Sequence, residues 1–455
     1  MSSASPLFLL PLFLSSFLAI SYQSSPPHAK QQPQDSTTML PSELETLFTI
    51  MGTMSDNKPW RISHPNPCNS GSSWPGIECK FGKDNHFHVT RLDFGTPPNP
   101  TCKPTSTFPS EVFTLPYLQS VFFYNCFTHS PTSLSMPASP VSPVEQLSLR
   151  ANPALTGPIP AQLSSLKSLQ VLTLSQNRLS GQIPPGVFGL IKLVHLDLSY
   201  NTLSGAIPSQ VGNVKNLLGL DLSYNSLSGV IPNSIGQLGL LQKLDLSSNL
   251  LVGGIPNSIE KLNSLNFIAL SNNRLKGSFP EGLTKLVNLQ YFIMDDNPMF
   301  MPLPSDFGTL VKLQELRLAN SGYSGSIPSS ISQLLNLTTL SLENNRLTGK
   351  IPAEFSSLSH IYHLNLSRNF LEGVVPFSAS FLRRLGRNLD LSGNPGLCLD
   401  PKEAHGLGTE INACGDHKSY SFAQPTKRSQ APCMLSSLSA YVARETSRRF
   451  MLVCA

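Results

Sequence analysis

The sequence predicts an α/β repeat solenoid whose short parallel strands line a concave face. Residues 196–208 read LDLSYNTLSGAIP and residues 220–232 read LDLSYNSLSGVIP, so one unit returns after 24 positions. The chain of 455 residues also contains 39 Pro and 30 Gly, which is typical of frequent, regular turns. Self-similarity at a fixed period indicates stacked repeats rather than separate globular domains.

Each position of the repeat, which reads LxxLxLxxNxLxGxIPxxLGxLxx, has a physical task. Two leucines such as Leu220 and Leu222 point inward from a short strand, so that stacked units share one apolar core. The asparagine side chain is expected to satisfy backbone groups that the bend leaves unpaired. This asparagine ladder comprises Asn152, Asn177, Asn201, Asn225, Asn249, Asn273, Asn297, Asn345, Asn369 and Asn394, with Ser321 as a substitute and Cys126 in the same position upstream.

A glycine and then an apolar-proline pair follow the asparagine in most units. Glycine suits a tight turn that has no room for a Cβ. Proline fixes φ and removes a donor, which suits an extended segment at a sheet edge. Met301 replaces the glycine in one unit. Each coil is therefore expected to consist of a strand, a turn and a bend.

The charge and motif content excludes several classes of function. The formal net charge is +5, and residues 418–455 alone hold six basic residues and one acid. The repeats thus carry no general basic stripe, which excludes nucleic acid as the main partner. His86 and His88 are close but lack other ligands nearby in sequence, so no metal or other cofactor is predicted. No nucleophile elbow or triad occurs, so no enzyme is predicted. One acidic residue per unit is interpreted as a solvated ladder: Asp197, Asp221 and Asp245.

The first 21 residues read as a signal peptide. An apolar core from Leu7 to Ile20 ends in small residues, and we expect cleavage after Ser21. A membrane anchor is the alternative. The apolar run is shorter than the roughly 20 residues that a spanning helix needs, and Pro11 interrupts it.

Secretion permits disulfides, and eight cysteines are present. Cys102 and Cys126 form one candidate bridge, but a buried position in the asparagine ladder is the alternative for Cys126. Cys433 and Cys454 have no assigned partner. Two further pairs lie where the solenoid ends, and we expect them to be bridged: Cys68 with Cys79, and Cys398 with Cys414.

The unit LxGxIP resembles the plant-specific leucine-rich repeat of receptor-like kinases and receptor-like proteins, and the match extends over residues 144–395. The segment PSELETLFTIMGTM, followed by Trp60 and CNSGSSWPGIEC, resembles the N-terminal cap of those receptors. Its stripe of Leu44, Leu47, Phe48 and Met51 has helical spacing. The resemblance implies a right-handed superhelix of the LxGxIP type that is capped at both ends.

The chain is accordingly expected to have six parts. These are a signal peptide (1–21), a flexible linker (22–40), an N-terminal cap (41–88), irregular first repeats with a Pro-rich insertion (89–143), regular leucine-rich repeats (144–397), and a C-terminal cap with a basic tail (398–455).

The motifs of a kinase domain are absent from the sequence: a Gly-rich phosphate loop, a strand lysine, HRD and DFG. The resemblance is therefore to kinase-less receptor-like proteins, which implies recognition of a secreted peptide or a receptor-kinase ectodomain in cell-surface signalling. Arg444, Glu445 and Arg448 interrupt the C-terminal apolar stretch, so we expect no transmembrane segment. We expect a secreted chain, extracellular or on the outer face of the plasma membrane, that associates with the membrane only through a partner.

The candidate binding residues lie where the concave columns stop repeating. Phe267, Tyr291 and Ile293 place apolar groups on a face that is expected to meet water, with charged residues around them. Ordinary variability, with Phe267 folded back on its neighbour, is the alternative. The predicted ligand-binding residues are Lys243, Phe267, Tyr291, Ile293, Asp295, Asp296, Glu315 and Arg317.

Two sequons, at Asn336 and Asn365, predict N-glycosylation. A glycan on Asn365, in a concave column, would direct a ligand toward the units that end between Asn249 and Asn345.

An alternative function is inhibition of secreted cell-wall hydrolases, similar to the polygalacturonase-inhibiting proteins, which share this repeat. The insertion at residues 95–142 and the long C-terminal tail count against that alternative.

Overall fold

The computed structural model describes residues 39–55, 60–68, 75–402, 411 and 413–415. The expected signal peptide, nearly all of the expected linker, Cys433, Cys454 and the basic residues of the tail lie outside the described residues. None of the helices in the described part of the chain has the length and apolarity needed to span a bilayer.

A 14-stranded sheet, the concave sheet, follows the repeats from end to end. Its first two strands pair antiparallel, and each later pair of neighbours is parallel. The parallel order follows the sequence order, which confirms the predicted solenoid. The strands are Ile77–Phe81, Phe87–Phe94, Ser120–Tyr124, Gln146–Arg150, Val171–Thr173, His195–Asp197, Gly219–Asp221, Lys243–Asp245, Phe267–Ala269, Tyr291–Ile293, Glu315–Arg317, Thr339–Ser341, His363–Asn365 and Leu389–Asp390.

The helical part of most coils is a short 3-10 turn that starts after the proline of the apolar-proline pair. Pro208, with φ of −59°, directly precedes one such turn. In the described residues, α-helices occur before the repeats, at Pro41–Met54 and Trp60–Ser63, and in the last coil, at Ala379–Leu385. The 3-10 turns are Ser110–Thr114, Ala161–Ser165, Pro185–Gly189, Ser209–Asn213, Asn233–Gln237, Asn257–Lys261, Glu281–Lys285, Phe307–Thr309, Ser329–Gln333, Ala353–Ser357 and Gly386–Asn388.

Two smaller parallel sheets, the flank sheets, are formed by the segments that follow the ladder residue in most units. The glycine of the repeat enables them, since Gly229 has φ of 74°. The first flank sheet has seven strands: Thr132–Ser133, Leu155–Pro158, Arg178–Gln182, Thr202–Ala206, Ser226–Val230, Leu250–Gly253 and Arg274–Leu275. The second has four strands: Ser324–Ser326, Arg346–Gly349, Phe370–Val374 and Gly396–Cys398.

The flank sheets are separated at the unit in which Met301 replaces glycine. Of the described residues, 297–302 contribute no flank strand, and Pro302 makes an isolated bridge with Ser324. The shorter ladder residue of the next coil is one cause, because Met299 donates to the backbone carbonyl of Ser321 (3.0 Å) instead of to an asparagine side chain. The other cause is the pair Pro298 and Pro302, because proline has no backbone N–H to donate to a neighbouring strand.

The asparagine ladder satisfies backbone groups of two successive coils at once. Asn249 is buried, and its Oδ1 accepts from the backbone N–H of Leu227 at 2.9 Å. Its Nδ2 donates to the carbonyl oxygens of Leu222 (3.0 Å), Leu246 (3.2 Å) and Ser247 (3.2 Å). The predicted role of the asparagine is therefore confirmed, and each one joins its coil to the preceding coil.

The N-terminal cap packs on the first coils through the apolar stripe expected from the sequence. Leu47, Phe48 and Met51 are buried, and Leu44 is half-buried against the same core. Pro41 occupies the first turn of the helix, where its missing N–H costs nothing. The helix thereby covers an edge of the apolar core that would otherwise meet water.

A buried polar cluster links this cap to the first strands. The carboxylate of Glu43 lies 2.7 Å from Nδ1 of His88 and accepts from the backbone N–H of Val89 at 2.8 Å. Nε2 of His88 lies 3.0 Å from the carboxylate of Asp84, and the ring stacks on Tyr117 at 3.7 Å. The His86–His88 segment is therefore a structural contact. In the described residues, no group of three His, Cys, Asp or Glu side chains is arranged to hold a metal ion.

Three disulfides are present among the described residues: Cys68–Cys79, Cys102–Cys126 and Cys398–Cys414. Cys126 also occupies the ladder position, since it is buried and its backbone N–H donates to Oδ1 of Asn152 at 2.7 Å. The two alternatives for this cysteine are thus compatible. The Cys102–Cys126 bridge links the Pro-rich insertion to the core, and the other two bridges lie at the ends of the solenoid.

Candidate functional site

The register of the concave sheet brings the predicted binding residues of successive units side by side. Lys243 pairs with Phe267, Phe267 with Tyr291, and Tyr291 with Glu315. Two residues further along each strand, a second column pairs Ile293 with Arg317 of the next strand. We call these six residues the central concave patch: Lys243, Phe267, Tyr291, Ile293, Glu315 and Arg317.

The two aromatic rings of the patch pack on each other. Their centroids are 5.9 Å apart with the planes tilted by 42°, and Nζ of Lys243 lies 5.6 Å from the centroid of Phe267. The hydroxyl of Tyr291 lies 3.2 Å from Oε1 of Gln314. Both rings are half-buried, so each keeps an accessible part. The row thus has a cation at one end, two rings in the middle and a carboxylate at the other end.

Arg317 organises the charged side of the patch. Its Nε lies 2.9 Å from the carboxylate of Asp295, and its Nη1 lies 3.8 Å from Glu315. Burial raises the pKa of Asp295, although the nearby arginine opposes this shift, and burial also raises the pKa of Glu315. The guanidinium is partly exposed and can still donate outward.

Two predicted binding residues are not part of the patch. Asp295 is only 5% exposed, and its carboxylate accepts from the backbone N–H of Ala319 at 2.8 Å as well as from Arg317. Its carboxylate is thus buried and bonded inside the solenoid, and its role as a ligand contact stays a prediction. Asp296 has φ of 57° and points to the flank rather than to the concave columns.

The acidic ladder has a structural role that the sequence did not indicate. Oδ1 of Asp221 accepts from the backbone N–H of Ser223 at 3.1 Å and from its hydroxyl at 2.6 Å. The same bonds recur from Asp197 to Ser199. These carboxylates cap the turn that follows each strand, so the interpretation as a merely solvated face was incomplete.

A second concavity, which sequence reasoning missed, lies on the flank. It has a volume of about 920 Å³ and crosses five successive coils, where Phe300, Arg346, Arg368 and Phe370 line it. The available signal was the pair of adjacent irregularities at Met301 and Ser321. We call this concavity the flank groove.

Comparisons with known proteins agree with the repeat architecture described above. The family model described as leucine rich repeat matches residues 142–203 and 191–251, and a second model of the same repeat matches residues 336–358. The chain contains leucine-rich repeats. It is similar to Receptor like protein 29 of Arabidopsis thaliana, with 63% identity over 150 residues, which are 32% of this chain and 32% of that protein.

Two further plant proteins are similar to parts of this chain. Protein TOO MANY MOUTHS of Arabidopsis thaliana is 38% identical over 170 residues, which are 34% of this chain and 33% of that protein. The solved structure of the plant peptide hormone receptor RGFR1 in complex with RGF2 is 32% identical with a TM-score of 0.57, over 64% of this chain and 46% of that chain. The chain thus matches about a third of the length of these curated relatives.

The two predicted glycosylation sites of this leucine-rich-repeat protein differ in accessibility. Asn336 is exposed, and its Nδ2 donates to the carbonyl oxygen of Val311 at 3.0 Å, which leaves a second N–H. Asn365 is 9% exposed, with Oδ1 accepting from Ser367 and Nδ2 donating to Glu343. A glycan on Nδ2 of Asn365 would displace the contact with Glu343, and glycosylation of Asn365 with its effect on ligand position stays a prediction.

We expect Asp245→Asn to stabilise the solenoid near neutral pH. Burial, together with Asp221, raises the pKa of Asp245 to about 6. The folded chain therefore holds this proton more firmly than the unfolded chain, and folding loses stability as pH rises through that value. At about pH 7.5 the variant should gain about 1 kcal/mol, and below about pH 4 it should match the wild type.

Asparagine is a suitable replacement because Asn365 fills the same column and its Oδ1 accepts from Ser367 N–H at 3.1 Å. Urea unfolding of wild type and variant across this pH range provides the measurement. An Asp245→Asn chain that is less stable than wild type at neutral pH would contradict the assigned pKa shift.

Proposed function

We propose that this leucine-rich-repeat protein recognises a secreted peptide or a receptor-kinase ectodomain in cell-surface signalling, without catalysis. The observation that carries the proposal is the central concave patch, where Phe267, Tyr291 and Ile293 lie in register on a solvent-facing sheet. Aromatic residues and arginine are the side chains that most often dominate binding energy at protein interfaces. The patch offers both kinds within three adjacent strands.

The dimensions of the patch suit an extended peptide that crosses the strands. The row from Lys243 to Glu315 covers four adjacent strands. Strands are spaced by about 4.8 Å, so the row is about 14 Å long, which an extended peptide covers with about four residues. An apolar side chain of such a peptide would pack on the two rings.

The charges at the two ends of the row would set the orientation of the ligand. Lys243 pairs with Asp221 at 2.8 Å, so its charge is partly neutralised. Arg317 is held by Asp295 but keeps donors on the open side, where they can meet a carboxylate or a carbonyl oxygen. Glu315 lies beside it and would repel a ligand that approached in the reverse direction.

The similarity to receptor-like proteins and to a peptide hormone receptor supports a recognition role. Three disulfides and an exposed sequon at Asn336 fit a chain that functions outside the cell. We place it in the extracellular space or on the outer face of the plasma membrane, with a kinase-bearing partner as the signalling component.

Phe267→Ala combined with Tyr291→Ala tests this proposal. We expect partner binding to weaken by more than about 1 kcal/mol, because the rings provide the apolar contact. Thermal unfolding should stay near that of wild type, since both rings are half-buried. The measurement is capture of a panel of receptor-kinase ectodomains and of secreted peptides by the tagged chain, followed by titration of each captured partner.

The stacked pair Tyr200 and Tyr224, with centroids 4.1 Å apart, provides a matched control because it is aromatic, exposed and outside the patch. Tyr200→Ala with Tyr224→Ala should leave binding unchanged. Equal loss of binding in both double variants, or aggregation of the Phe267→Ala and Tyr291→Ala chain, would show that the patch is not the recognition surface.

A further inference from the structure

The flank groove begins where the flank sheets are interrupted. Residues 297–302 form no flank strand, and Phe300 adopts φ of 47°. Its ring lies against Gly322, where an added Cβ would come within 2.4 Å of Cδ1. The side chain nevertheless remains 61% exposed. Part of the groove lining is polar, since Nδ2 of Asn344 donates to Oδ1 of Asn320 at 2.8 Å.

Two arginines from successive coils line this groove without an acidic partner. The guanidinium of Arg346 lies 5.2 Å from the centroid of the Phe300 ring, which orients it. Arg368 precedes the ladder asparagine of the next coil and is exposed. Among the described residues, neither guanidinium takes part in an ion pair. Two like charges on neighbouring coils repel each other, and an anionic ligand would relieve that repulsion.

The acids near the groove neutralise this charge only in part. Glu343 lies within electrostatic range of Arg368 and offsets some of its charge, but the two side chains form no ion pair. Asp296 lines the groove three coils away from Arg368. The excess of positive charge is thus concentrated where the exposed ring of Phe370 also lies, which is 60% exposed.

We propose that the flank groove binds an acidic peptide segment whose carboxylates pair with Arg346 and Arg368 while an apolar side chain packs on Phe370. Guanidinium groups match carboxylates in a bidentate geometry. A peptide fits better than an acidic oligosaccharide, because sugar rings stack on open aromatic faces and the guanidinium of Arg346 lies over the ring of Phe300. This binding site goes beyond the proposed function, since it lies apart from the central concave patch.

Fluorescence anisotropy with the full chain tests the proposal. The probe is a labelled synthetic peptide that alternates Glu with Ser and carries one central Phe, and its counterpart has Gln in place of Glu. We expect the acidic probe to bind, with an affinity that falls as NaCl rises. Binding should weaken at least about tenfold in Arg346→Gln with Arg368→Gln, since hydrogen bonds to charged groups contribute that much or more.

Arg178 and Arg274 provide the matched control, because they are exposed and directly follow a ladder asparagine, as Arg346 does. Arg178→Gln with Arg274→Gln should retain binding, and so should Phe267→Ala with Tyr291→Ala, which separates this site from the concave patch. The proposal would be overturned if the Gln probe bound as tightly as the Glu probe, or if both arginine double variants lost peptide binding equally. A melting temperature lowered only in Arg346→Gln with Arg368→Gln would also overturn it. Binding of oligogalacturonate but not of the peptide would also overturn it.

Discussion

Asn249→Leu is expected to lower the free energy of unfolding by about 3 kcal/mol, because it leaves one buried N–H and three carbonyl groups without the partner they have in the wild type. Leucine fits the apolar surroundings but cannot accept or donate. The lost bonds join two coils, so the defect should reduce cooperativity across the middle of the solenoid. Chemical denaturation followed by circular dichroism measures the effect.

Two related variants serve as controls for the ladder argument. Asn225→Leu should cost less, because Asn225 is half-buried and water can replace part of its bonding. Asn249→Ser should be intermediate, since Ser321 already fills a ladder position and its hydroxyl donates to the carbonyl oxygen of Ala319 at 2.8 Å. If Asn249→Leu unfolded at the same denaturant concentration as wild type, the ladder would have no stabilising role.

Glu43→Ala should detach the N-terminal cap, with a loss of about 3 kcal/mol or more, because it removes the acceptor of two buried donors, His88 Nδ1 and Val89 N–H. Burial alone would lower the pKa of His88, but hydrogen bonds with Asp84 and Glu43 outweigh it and raise that pKa. The resulting stability is present below the ordinary histidine pKa and is lost as pH rises through the folded value. Cap docking in the wild type should therefore be firmer in mild acid than in mild base.

Glu43→Gln separates shape from charge in this cluster. The amide oxygen can still accept from Val89, so the variant should fold, but most of the pH dependence of cap stability should disappear. Hydrogen exchange of the helix Pro41–Met54 across pH measures both effects. Unchanged exchange in Glu43→Ala would contradict the proposed link between the cap and the first strands.

The repeat made much of the fold predictable from the sequence. A constant spacing means that residues at equal positions become neighbours, which is why the register of Lys243, Phe267 and Tyr291 could be inferred without coordinates. The same reasoning located the inward leucines and the asparagine ladder. It works because each coil contacts mainly the adjacent coils.

Features that depend on contacts between unlike positions could not be inferred in this way. Asp295 was expected on the open face, but Arg317 of the next coil and a backbone N–H bury it. Glu43 carries no periodic signal, because its partner is 45 residues away. The flank groove begins beside Ser321, and the sequence shows that substitution without showing its effect on the neighbouring strand.

Hydroxyl-radical footprinting of the chain in complex with a captured receptor-kinase ectodomain or secreted peptide tests the central claim most directly. The reactivities of Phe267 and Tyr291 should fall on binding, whereas those of Tyr200 and Tyr224 should stay unchanged. Such a result would locate the partner on the central concave patch. Unchanged reactivity of Phe267 and Tyr291 in a saturated complex would contradict recognition through this patch.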